Sequence, residues 1–149
     1  MKKIILGIMF ISTVNAGVTF AASQDECAIW LCLPQGFAPP ECAAPHSAMM
    51  QRISKGKSPL PKLSGCGGDD DSNSKVLTGF AAYIPEHEEC YQWSEHGHCL
   101  QPVKYEEKYI RNVSCHQKDG ESVPAGCSRT YKFVEVSVDN VVVGTTYYY

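Results

Sequence analysis

The chain has 149 residues, 44% of them hydrophobic and 19% charged, a globular balance that excludes a disordered polymer. The formal net charge is −3, and removal of Lys2 and Lys3 with the N-terminal segment leaves 11 basic against 16 acidic groups. No cluster of Lys and Arg survives to grip phosphate, which excludes direct nucleic-acid binding as the main task.

Residues 1–22 have the layout of a secretory signal: Lys2-Lys3, an apolar run from Ile4 to Val14, then small residues around Ala21-Ala22-Ser23. Cleavage there is expected to leave a chain with no second apolar run able to cross a membrane, and the expected compartment is the periplasm. All eight cysteines follow this segment, and an even count in an exported chain implies disulfides.

Ser23 to Leu33 is expected to be a helix. Ser23 and Glu26 have capping-box spacing, Asp25 and Glu26 suit a helix N-terminus, and Pro34 ends the run. Ala28, Ile29, Trp30 and Leu31 are apolar on several sides, which points to burial of this helix against its partner helix. Gln35–Pro40 is a loop in which Gly36 permits a turn and Pro39-Pro40 stiffens the exit. A second helix starts at about Glu41 or Pro45 and runs to Ser54, with Ala48, Met49 and Ile53 on one face and Lys55-Gly56-Lys57 as its stop. Ser58–Ser64 reads as extended.

Residues 67–75 are a polar linker by composition. Asp69, Asp71 and Asn73 imitate the start of a calcium loop, but Ser74 and Phe80 stand where a glycine and an acidic ligand are needed. Beyond it the chain turns to β-pattern. Val76–Ile84 is expected as a strand and Pro85–Gly97 as a short helix or irregular loop. Val103–Val113 is a further strand, and Tyr131–Val138 and Val141–Tyr148 form a hairpin about Asp139-Asn140. The fold class expected is α+β: a small disulfide-stapled helical hairpin (23–66), the linker, then a mostly antiparallel, Cys-containing β half (76–149). The C-terminal strand reads as an aromatic edge, with strand addition to a partner sheet as the livelier alternative.

The linker divides the cysteines four and four, leaving three pairings within each half. Cys27 and Cys32 point apart on a helix; of the pairings left, Cys32–Cys42 joins the end of the first helix to the start of the second and Cys27–Cys66 brings the tail back over the pair, and these are favoured. Sequence neighbours suggest Cys90–Cys99 and Cys115–Cys127. No Cys-x-x-Cys supports redox catalysis. His87, Cys90, His96, His98 and Cys99 crowd one segment and are acceptable zinc or copper ligands, but an oxidising compartment favours paired cysteines, so no ligand set is assigned and no cofactor is expected. Neither Gly-x-Ser-x-Gly nor His-Glu-x-x-His is present, and Glu86, Glu88 and Glu89 lack the context of a glycosidase pair.

Cys27, Cys32, Leu33, Gly36, Glu41 and Cys42, followed by Gln51-Arg52-Ile53 and Cys66, resemble the signature of the TrbM-like proteins, over about a quarter of the chain. Pro39-Pro40 and the Ser-Pro-Leu-Pro run before Cys66 depart from it. The resemblance implies an exported accessory component of conjugative DNA transfer by plasmids (mating-pair formation, type IV secretion). Such a protein is non-enzymatic, and its partners are other proteins of the transfer apparatus. The contacts expected are through the helical hairpin, with Trp30 and Phe37 as candidate partner-binding residues, or through the β half. The alternative is a secreted disulfide-rich effector or inhibitor of a host or envelope protein.

Overall fold

A computed structural model describes residues 22–69 and 73–149. Nearly all of the segment read as a signal, and the middle of the polar linker, lie outside the described residues.

Helix α1 spans Gln24–Cys32 and α2 spans Ala43–Ser54. At α1 the capping box closes: the Glu26 amide donates to the Ser23 hydroxyl and the Ser23 amide donates to the Glu26 carboxylate. The chain leaves α1 through a tight 3-10 turn, Leu33–Gln35, which Gly36 ends at φ 64°. A second such turn, Pro40–Cys42, leads into α2, so Pro45 falls inside its first turn. A third, Leu63–Cys66, occupies the end of the stretch expected to be extended. Arg52 ties the unit together: it meets Glu26 of α1 at 2.7 Å and donates to the carbonyls of Ser58 and Leu60.

Among the described residues eight strands follow: β1 (Ser74–Ile84), β2 (His87–Trp93), β3 (Cys99–Tyr105), β4 (Lys108–Arg111), β5 (His116–Lys118), β6 (Glu121–Val123), β7 (Arg129–Val138) and β8 (Val141–Tyr148). All pairings are antiparallel, with β4-β1-β7-β8 as the main sheet and β2-β3 and β5-β6 as separate ribbons. The β7–β8 hairpin turns at Asp139-Asn140, whose φ values of 53° and 65° suit the right-handed twist of the flanking strands. Two expectations are corrected here. Residues 87–93 form a strand instead of a helix or loop, and 99–111 splits into β3 and β4. Asp119-Gly120, both at positive φ, turns the unexpected β5–β6 ribbon.

The fold is α+β, and four disulfides staple it: Cys27–Cys66, Cys32–Cys42, Cys90–Cys99 and Cys115–Cys127, leaving no free cysteine. The helical hairpin does not stand on its own bonds. Ile29, Leu33, Met49 and Leu60 bury together with Val134 and Val136 of the sheet, with Val76, Val143, Tyr147 and Tyr149 packed around them. One core thus serves both halves, and burial of these six side chains contributes about 1.5–3 kcal/mol each as an upper estimate. Leu31, expected to be buried with its neighbours, is 73% exposed. A second, smaller core joins Ala82 and Ile84 to the Cys115–Cys127 bond.

The opposite face of the main sheet carries a row of aromatics. Tyr109 stacks on Tyr148 at 3.6 Å, and Tyr83 and Tyr131 lie edge to face. Phe133 lies over Gly79, where a Cβ would come within 2.6 Å of the ring. Glu135 is only 2% exposed on this face and is held by Arg111 and Thr146.

Candidate protein-contact surface

Trp30 and Phe37 are engaged within the molecule. The Trp30 indole N–H donates to the Pro61 carbonyl at 3.2 Å, and its ring packs against the shared core. Phe37 meets His46 and Tyr147 with ring centroids 4.9 and 5.3 Å away. His46 and the Tyr147 hydroxyl, 2.5 Å apart, close a three-ring cluster between α2 and β8, and burial pushes the Tyr147 phenol above its ordinary pKa. Both partner-binding candidates are therefore half-buried joints between hairpin and sheet.

The exposed aromatic side chains lie elsewhere. The β2–β3 ribbon is inserted between β1 and β4, and its strands make their contacts almost wholly with one another. Tyr91 is 83% exposed, Trp93 62% and Leu100 56%. A two-stranded ribbon is marginal in water by itself. Here the Cys90–Cys99 bond cross-links it, His87 stacks on Tyr105 at 5.1 Å, and Lys104 pairs with Glu86 at 3.0 Å. Tyr91 sits at a register shift between Cys90 and Gln92, a bulge that leaves it without a cross-strand partner. The ribbon buries little, so the disulfide's effect is to hold Tyr91, Trp93 and Leu100 in a fixed arrangement before anything binds. Rigid exposed Trp and Tyr are the residue types that carry most binding energy at protein interfaces.

The histidine-rich segment forms this same ribbon. Cys90 and Cys99 are bonded to each other, and His87 faces Glu89 at 3.5 Å. Among the described residues no three of His, Cys, Asp and Glu gather as a metal site, and no helix is long and apolar enough to cross a membrane. The one signal in the sequence was the spacing of Cys90 and Cys99 about the polar stretch Ser94–His98, with Val103 and Tyr105 beyond it; the preceding Glu- and His-rich run carries no strand pattern.

Comparison with protein-family models, with curated proteins and with solved structures returned no match to this chain. The functional reading therefore stands on the chain's own residues.

Proposed function

We propose that this protein is an exported, non-enzymatic component that works by protein contact, and that the machinery it serves is conjugative DNA transfer. The observation that carries the contact role is the disulfide-locked β2–β3 ribbon, which presents Tyr91, Trp93 and Leu100 to solvent. The transfer role is supported by the resemblance to TrbM-like proteins. The positions that carry it build one structural unit: Cys32 bonds Cys42, Leu33 is fully buried, and Gly36 supplies a left-handed turn. The compartment is the periplasm, where four disulfides persist.

The test is genetic. Deleting the gene from its mobile element lowers transfer frequency, and the intact gene restores it. A Tyr91→Ala/Trp93→Ala double variant is exported and oxidised normally, since both side chains lie outside the core, but does not restore transfer. Unchanged transfer on deletion overturns the reading. A locked aromatic ribbon also suits an inhibitor of an envelope or host protein; toxin or immunity genes beside this one would favour that alternative.

A further inference from the structure

The edges of the main sheet are not equally protected. At β8 the outer edge meets the Leu33–Gln35 turn: a Cβ on Gly144 would fall on Pro34, 2.5 Å from its Cβ. The C-terminal strand, where strand addition was the livelier expectation, is thus partly covered. β1 is different. On one side it pairs with β7 from Ser74 to Tyr83. On the other it pairs with β4 only over Ala81–Ile84. The Asn112 amide makes one last bond to the Phe80 carbonyl, and Asn112, at φ 59°, turns the chain off the sheet.

That bond fixes the parity of β1. Phe80 points its carbonyl toward the β4 side, so Ser74, Val76 and Thr78 turn their N–H and C=O groups the same way. Among the described residues nothing pairs them. The open edge is about 20 Å long at ~3.3 Å per residue. No bulge or proline blocks it, unlike most exposed edges.

One hollow lies beside this edge, lined by Trp30, Leu60, Val76 and Lys62. A second, lined by Pro59, Thr78, Phe80, Lys132 and Tyr149, lies over the face that β1 shares with β7, away from the open edge. Val76 and Phe80 are four residues apart on one face of β1, and Phe80 is exposed, so an added strand would set one side chain at the hollow beside Val76 and another, four residues on, against Phe80. Lys62 has no acidic partner among the described residues.

We infer that the open edge of β1 receives an extended segment of a partner protein as an added antiparallel or parallel strand, with apolar residues four apart and at least one carboxylate. Backbone bonds to Ser74, Val76 and Thr78 supply the pairing, the hollow and Phe80 select the apolar residues, and Lys62 selects the acidic one. The inference does not depend on the aromatic ribbon.

The experiment selects a library of random ten-residue peptides, displayed on phage, against the oxidised protein. Recovered sequences are expected to carry the apolar spacing and an Asp or Glu. The best synthetic peptide should slow amide exchange at Ser74, Val76 and Thr78. Thr78→Pro, which removes an outward N–H at an edge position that tolerates proline, weakens it at least tenfold. Lys62→Glu weakens it several-fold with the edge intact, and Trp93→Ala leaves it unchanged. The inference is overturned if selection enriches nothing, or if Thr78→Pro and Lys62→Glu bind as well as the parent. It is also overturned if the protected amides lie on β8 or the ribbon, or if the edge is protected by concentration-dependent self-association without peptide.

Discussion

Gly144→Ala measures how closely the helical hairpin is seated on the sheet. Gly144 has φ 77°, so any side chain pays the left-handed penalty of about 1–2 kcal/mol. A Cβ there also runs into the Pro34 backbone. Backbone cannot rotate away as a side-chain tip can, so the Leu33–Gln35 turn must lift from β8, adding about 1–3 kcal/mol of overpacking. The expected loss is about 3 kcal/mol. Gly56→Ala is the internal reference: its φ is 70° but nothing lies within 4 Å of the added Cβ, so only the backbone penalty of ~1 kcal/mol remains. Urea unfolding of both variants with all disulfides intact, followed by circular dichroism, separates the two effects. If Gly144→Ala costs no more than Gly56→Ala, the close seating of Pro34 on β8 is wrong.

Glu135→Gln leaves Arg111 without its carboxylate and should cost roughly 2 kcal/mol, less than a fully buried pair because Arg111 is half-exposed; Arg111→Met in the same chain should recover part of the loss in urea melts. The amide of Ser23, and then the Arg52 guanidinium, hold the Glu26 carboxyl below its usual 4.5. Its contribution is therefore present above pH 4.5 and lost as pH falls through the lower folded value, so the stability gap between wild type and Glu26→Gln should close over that window, and parallel pH curves would contradict it. The Tyr83 hydroxyl donates to Glu107 at 2.7 Å, which pushes its pKa up to about 12; Glu107→Gln should bring it back toward 10, read from the ring signals of labelled tyrosine.

The parts of this fold that depend on near neighbours were legible. Ser23 and Glu26 close their box within one turn, Asp139-Asn140 makes its hairpin, and Cys32 meets Cys42 because a short loop leaves little choice. Long-range features were not. Pro85–Gly97 mixes Glu, His and aromatics with no clean period, and it becomes a strand because β3 pairs with it. The alternation Phe133-Val134-Glu135-Val136 suggests a solvent-facing glutamate, yet Arg111 and Thr146, both distant in sequence, draw Glu135 inside. Trp30 and Phe37 read as candidates for contact with another protein until Pro61 and Tyr147 are placed against them. The open edge of β1 has no sequence signature, since it exists only because β4 is short.

The His46–Tyr147 contact joins positions 101 residues apart. A chain made from its N-terminal end therefore produces both helices and their four cysteines long before the strands that seat them exist. Until β7 and β8 arrive, Ile29, Leu33 and Met49 have only the hairpin's own residues, Trp30 and Leu60 among them, for shelter, and the Cys32–Cys42 link can close on a unit still missing its floor. Editing the last three tyrosines, by trimming or by a fused tag, would thus be felt first at the opposite end of the polypeptide.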